Sequence, residues 1–463
     1  MSFLLPDLLY SGCALHPALA VQIAGDRVGR VVPAAQLPAG AVVERLPGRA
    51  LLPGFVNAHS HAFQRGLRGH VQYASGPGPT SAPGPSGGGS SRPAFADSFW
   101  TWRDRMYRLA NALDPDGVEA VSALAFLEMA RAGFTTVGEF HYLHHAPDGA
   151  RYADPDELAL RVVAAAETVG IRIVLLRVAY ARAGAGLDPN PLQRRFYDRG
   201  PDDVLAALAR LRARGVAVGL APHSVRACPA DWLTALAAFD GPVHAHVDEQ
   251  PAEIAASLHE HGRRPLQVFA DAGLLGPRFT AVHLTHPDDD ELALLRAAGG
   301  RVCVCPTTEL DLGDGLFPLD RAAGIELCIG SDSHALIDPF TELRSIEWHA
   351  RAATGRRNVM GPFEHPDGSA NALLHAGTRG GALALGVDAG TLAPGTLADL
   401  VAVDIADVAL RGARLLPALV FSGHPGLVTD VWVGGRRIVA GRHHLGSEAI
   451  VGAAERALEK AGG

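Results

Sequence analysis

Apolar and polar positions fall into blocks through the middle of this chain. Eight short runs, at residues 51–58, 134–142, 171–180, 216–225, 242–247, 279–286, 301–308 and 326–334, are six to ten residues long and dominated by β-branched or other apolar side chains. Runs of that length read as strands buried on both faces of a parallel sheet. Most segments between them are Ala-, Leu- and Arg-rich with helical spacing, as at 118–132, 155–169, 203–213 and 289–298. Eight strand–helix repeats predict an α/β chain closed into a (β/α)8 TIM barrel.

The two ends carry a different pattern. Strand-like pieces at 20–23 and 28–32 are separated by Gly and Pro, and similar pieces recur at 400–404, 428–433 and 437–440. Strands at both ends can pair with each other. The barrel (51–392) is therefore expected to be inserted in a small β-sandwich domain built from residues 1–50 and 393–463, with a tail helix over 448–461. Residues 74–93 are almost wholly Gly, Pro, Ser, Thr and Ala. Such a segment offsets little of the entropy of ordering, which predicts a flexible insertion after the first barrel strand.

Composition narrows the class. The 463 residues are 48% hydrophobic and 19% charged, ample for a packed core. A formal charge of −8, from 41 basic and 49 acidic side chains, argues against nucleic acid or an anionic membrane as partner. The five cysteines are few, odd in number and mostly inside apolar runs, as expected of reduced core thiols. The N-terminus lacks the basic start of a secretory signal and carries Asp7 in its short apolar stretch. No run reaches the roughly 18 apolar residues that span a bilayer. These features predict a soluble, cytoplasmic protein.

Candidate chemistry sits where the strands end. His59-Ser-His61 closes the first run, and alternation along a strand turns both imidazoles the same way. The fifth run ends in His244-Ala-His246, the sixth in His283-Leu-Thr-His286 and the eighth in Ser331-Asp332. In a barrel these ends converge on one face. His59, His61, His246 and Asp332 are thereby predicted to ligate one divalent metal ion. A two-metal site bridged by a lysine is disfavoured, because the chain's only lysine is Lys460. His244 lies one step deeper and is expected to pack or hydrogen-bond in the interior. His141, His144, His145, His286 and His334 are expected to support the site or the structure, and Cys303 and Cys305 to belong to the core.

The His-x-His on strand one, His on strands five and six and Asp on strand eight resemble the pattern of the amidohydrolase superfamily. Within it, five strings resemble the formimidoylglutamate deiminase family: Leu52-Pro-Gly-Phe-Val-Asn-Ala-His-Ser-His-Ala-Phe-Gln-Arg65, Asp97-Ser-Phe-Trp-Thr-Trp-Arg-Asp-Arg-Met-Tyr-Arg108, Glu139-Phe-His-Tyr-Leu-His-His145, Gly313-Asp-Gly-Leu-Phe-Pro318 and Gly330-Ser-Asp-Ser-His334. Asp311 stands where that family tends to have Asn, and the insertion at 74–93 is longer than expected. The resemblance implies hydrolysis of N-formimino-L-glutamate to N-formyl-L-glutamate and ammonia, in histidine degradation, with Zn²⁺ as the ion and a homodimer as the assembly.

Roles follow from that reaction. A bound cation brings water toward a pKa of about 7. His283 and Glu249 are expected to form the acid/base pair, with Asp332 assisting as a ligand. The dicarboxylate substrate needs planar cationic partners. The resemblance points to Arg103 and Arg226, with His223 and Tyr142 nearby and Gln64 at the formimino nitrogen. Two other readings compete. A deaminase of an aminopyrimidine, purine or other amidine would keep the metal but need no pair of arginines, and a non-catalytic barrel scaffold would be expected to lack the ligands.

Overall fold

The computed structural model describes residues 2–72, 99–187, 189–361 and 367–462. The insertion expected at 74–93 lies outside the described residues. The chain opens with β1 (Ser2–Ser11), β2 (Ala14–Pro17), β3 (Leu19–Ala24), β4 (Arg27–Pro33) and β5 (Val42–Pro53). Eight strands follow: β6 (Phe55–Ser60), β7 (Phe134–His141), β8 (Arg172–Ala179), β9 (Val218–Pro222), β10 (Val243–Val247), β11 (Phe279–His283), β12 (Arg301–Val304) and β13 (Glu326–Ile329). The C-terminal flank supplies β14 (Leu400–Asp404), β15 (Val428–Val433), β16 (Arg436–Ala440) and β17 (His443–His444).

Both chain ends enter one mixed sheet, in the order β17-β16-β15-β14-β5-β1-β3-β4, with β2 paired to β1. The halves of the expected sandwich therefore share a continuous ladder. β5 joins them, running parallel to β1 from Ser2↔Val42 to Leu9↔Leu51 and antiparallel to β14 from Leu400↔Pro53 to Asp404↔Arg49. Leu4, Val21, Leu46 and Leu51 from one end bury against Leu400, Ala402 and Trp432 from the other. The apolar run at 51–58 is not one strand but two, split at Gly54. A Cβ there would lie 2.3 Å from the Thr135 side chain.

Strands β6 to β13 form a second sheet in which each pairs with the next, all in parallel. The ring closes just beyond the last strand, through a parallel bridge between Ser60 and Asp332. Its hydrogen bonds run from His61 N–H to Asp332 O at 3.0 Å and from Asp332 N–H to His59 O at 3.1 Å. Gly330 permits this approach, since a Cβ would stand 2.8 Å from His59 O and from Cys305 Sγ. Toward the other end, Gly380 and Gly381 let a helical segment press on the seam. An added Cβ would meet Leu327 O and the Val56 side chain respectively.

The expected helices form with well-defined ends. Pro115–Ala132 starts at Asp114, whose side chain accepts from Gly117 N–H at 2.8 Å, and stops at Gly133 with φ 100°. The tail helix, Ser447–Lys460, packs on it. Several strands end sooner than their apolar runs: 279–286 pairs only to His283, 326–334 to Ile329, and 301–308 gives way to a helix at Pro306. His283, Leu284, Asp332 and His334 have φ of 70°, 51°, 43° and 61°. Left-handed backbone leaves the ladder and costs about 1–2 kcal/mol per residue, and here that strain is concentrated at the rim carrying the polar side chains.

Candidate active site

His59, His246, His283 and Asp332 present ligand-type atoms all within 4.8 Å of one another, and all four are buried. His61 joins them. Both His59 Nε2 and His61 Nε2 stand 3.1 Å from Asp332 Oδ1, and His59 Nε2 is 3.2 Å from His246 Nε2. His59 and His61 flank Ser60, the residue that closes the ring with Asp332, so the seam and the cluster are one place. Glu139 braces it from β7, accepting from Ser60 Oγ at 2.5 Å and Ala62 N–H at 2.8 Å. Burial pushes that carboxyl up to about 7.

The donor geometry fits a cation. His61 Nδ1 lies 3.0 Å from Phe140 O, and His246 Nδ1 lies 3.0 Å from His223 O. A carbonyl can only accept, so both Nδ1 atoms carry the proton and both Nε2 atoms offer lone pairs. The His61 lone pair faces Asp332 Oδ1 at 3.1 Å, and that of His246 faces His59 Nε2 at 3.2 Å. Burial holds His59 down to about 3 and His246 well below its ordinary value, so both rings stay neutral near pH 7 and keep a lone pair for a cation. Burial would raise Asp332, but the contacts with His59 and His61 outweigh it and hold that carboxylate well below its usual range. Three imidazole nitrogens and a carboxylate around one point suit a borderline-soft divalent ion.

His283 faces two ways. Its Nε2 is 3.8 Å from both Asp332 Oδ2 and Glu249 Oε1, and its Nδ1 is 3.3 Å from Glu309 Oε1. Burial opposes its charge, yet the hydrogen bond to Glu309 and the carboxylates around it push its pKa up to about 10. Glu249 also contacts Arg226 Nη2, at 3.4 Å from Oε2, while Arg226 Nε meets Glu253 Oε1 at 3.2 Å. Arg226 thus stands paired with two buried carboxylates, a compensation that its sequence neighbours do not reveal.

A cavity opens beside the cluster, and its wall includes His61, Gln64, Arg103, Tyr142, His223, Arg226, His246, Glu249 and Asp332. Of the residues singled out in the sequence, only His59 and His283 lie behind that wall. Gln64 donates to Tyr142 Oη at 2.7 Å, and its buried Oε1 has no partner among the described residues. The Arg103 guanidinium lies 5.6 Å from the Tyr107 ring centre. The remaining polar residues take supporting places. His244 Nε2 contacts Ala384 O at 2.9 Å, deep in the ring, and His334 bridges Ser60 and Ser331. Cys303 and Cys305 are buried with Ala58 and Val282. Asp311 accepts from Gln72 at 2.9 Å.

Sequence reasoning missed Glu309, Glu253, Tyr107 and Tyr180. Glu139 opens one of the quoted strings but was given no part. Tyr107 stands inside the Asp97–Arg108 string, and Glu253 lies in the first turn of the helix that follows Glu249, so both carboxylates face Arg226.

The profile of the amidohydrolase family matches residues 50–438. The chain belongs to the amidohydrolase family. This amidohydrolase is 40% identical to the formimidoylglutamate deiminase of Pseudomonas aeruginosa over 417 residues, 88% of each chain. It is 27% identical to the 5-methylthioadenosine/S-adenosylhomocysteine deaminase of Teredinibacter turnerae over 460 residues, 94% of this chain and 89% of that one. A crystal structure of an amidohydrolase from Brucella melitensis superposes with a TM-score of 0.88 at 34% identity, covering 100% of both chains. The amidohydrolase is accordingly a hydrolase acting on C–N bonds. Among the described residues, no helix is long and apolar enough to cross a membrane.

Proposed function

We propose that this amidohydrolase hydrolyses N-formimino-L-glutamate to N-formyl-L-glutamate and ammonia, a step of histidine degradation. The observation that carries the reading is the polarity of the cavity. Its wall carries the carboxylates of Asp332 and Glu249 together with the guanidinium groups of Arg103 and Arg226, with Glu249 and Arg226 in contact at 3.4 Å. A substrate that bears both a protonated formimino group and carboxylates matches a wall of both signs. The P. aeruginosa relative is a formimidoylglutamate deiminase, which supports the same assignment. A neutral ring has no anionic group to draw on these two guanidinium groups.

His59, His61, His246 and Asp332 would hold one Zn²⁺. When bound, the ion supplies Lewis acidity that brings water toward a pKa of about 7. The chain's own groups direct the rest. Water adds to the formimino carbon, a proton passes to the amidine nitrogen, the C–N bond breaks, and ammonia leaves as the formyl C=O forms. His283 and Glu249, 3.8 Å apart, form the pair that moves these protons. Glu309 fixes the His283 ring from behind, and Gln64 Oε1 is placed to accept from the formimino N–H. Arg103 and Arg226 take the carboxylates, with His223 and Tyr142 completing the wall. The test is ammonia release from N-formimino-L-glutamate, N-formimino-L-aspartate and guanine. Turnover preferring guanine would replace the dicarboxylate reading by a ring deaminase.

A further inference from the structure

We infer that Tyr107 and Tyr180 form a hydroxyl pair that reads a substrate carboxylate between Arg103 and Arg226, held in that role by Gln193; the inference rests on the dicarboxylate reading above. Both tyrosines line the cavity with the two arginines, and both are buried. Gln193, 2% exposed, donates through Nε2 to Tyr107 Oη at 2.7 Å and to Tyr180 Oη at 2.7 Å.

The bonds on the far side of the amide run in the matching direction. Asn190 N–H can only donate, and it reaches Tyr197 Oη at 3.2 Å. Tyr197 in turn donates to Gln193 Oε1 at 3.0 Å. The amide oxygen is engaged by Tyr197 and the NH₂ faces the two phenols, with one hydrogen for each. Each phenol oxygen accepts, and each phenol proton must find another acceptor. The two phenols can satisfy one proton between themselves. Among the described residues, no other acceptor takes either proton.

At least one O–H donor is left without an acceptor among the described residues, in a cavity wall shared with two cations. Arg103 lies 5.6 Å from the Tyr107 ring centre, and the Tyr180 ring is 4.8 Å from that of His223, itself 4.8 Å from His246. A group placed there meets hydroxyl and guanidinium donors, and a carboxylate is the acceptor that answers both. The pair is a specificity device because a substrate edge with no acceptor would leave the hydroxyl donor poorly met.

The experiment compares Tyr107→Phe, Tyr180→Phe and the double variant on N-formimino-L-glutamate and on the carboxylate-free N-propylformamidine, with metal content and Tm measured on each. Loss of a hydrogen bond to a charged group predicts a rise in KM of about 10- to 100-fold for the dicarboxylate. The change in kcat should stay within about threefold, as expected when binding common to ground and transition states is removed. Parallel losses on both substrates, or an unchanged KM on the dicarboxylate, would overturn the inference. If the double variant does not fold, either single variant decides by the same criterion. Wild-type enzyme that shows no preference for the dicarboxylate defeats the underlying functional reading instead. A clear wild-type preference with unaffected Phe variants defeats only the hydroxyl pair.

Discussion

Replacing Arg226 by methionine removes a buried cation from between Glu253, at 3.2 Å, and Glu249, at 3.4 Å. Those carboxylate side chains are 1% and 8% exposed, so water cannot take over from the guanidinium. Breaking a buried pair by removing one partner costs about 3–5 kcal/mol. With an unfolding entropy of about 2.1 cal/mol/K per residue, 463 residues give roughly 1 kcal/mol/K. Arg226→Met should therefore lower Tm by about 3–5 °C. Under the proposed function the same change also removes a charge-assisted contact to the substrate, worth about 1.5–3 kcal/mol, and should raise KM for N-formimino-L-glutamate by roughly 10- to 150-fold. The two effects separate in Arg226→Met/Glu253→Gln, because the second change neutralises a stranded carboxylate. That variant should recover most of the lost Tm and none of the lost affinity. Calorimetric melts and steady-state ammonia release measure both. A KM within twofold of wild type in Arg226→Met would refute the substrate role, and a double variant no more stable than the single one would refute the pairing.

Three further outcomes are expected. Treatment with a chelator should abolish ammonia release, one equivalent of Zn²⁺ should restore it, and His246→Ala should purify with well under one ion per chain by elemental analysis. In the metal-free protein the folded pKa of His283 is raised from 6.5 to about 10, so its protonation favours the fold. That contribution is complete below about pH 6.5 and is lost as pH rises toward 10; melts of the chelated protein should decline over this window, and His283→Gln should flatten the decline. Gly330→Ala places a methyl 2.8 Å from His59 O and from Cys305 Sγ and should cost about 1–3 kcal/mol by overpacking, with weakened metal retention measured in the same preparation.

What could be read in the sequence was whatever depends on local periodicity. The His59/His61 pair declares itself through strand alternation, and His246, His283 and Asp332 through their place at the ends of apolar runs. Barrel geometry then brings them to one rim. The runs overstated the strands where the backbone turns left-handed, at His283 and Asp332, because hydrophobicity does not report φ. Tertiary pairing was invisible. Nothing near Arg226 in the chain announces that Glu253 is its partner, and Glu309 lies 26 positions from the ring it contacts. Gln193 is farther still from Tyr107, 86 positions along the chain, and ends a three-residue 3-10 turn too short to show periodicity. Glu139 was visible inside a family string, but its service to the Ser60–Ala62 backbone appears only once β7 lies beside β6.

The Ser60–Asp332 bridge ties assembly of the enzyme to its capacity for metal. A nascent chain that has not yet produced Asp332 already holds three of the imidazoles, but nothing gathers them, and its first and last barrel strands remain apart. Affinity for the ion arrives in the same event that seals the ring. An ion captured there fastens the two edges like a clasp, resisting their separation by the free energy of its own binding.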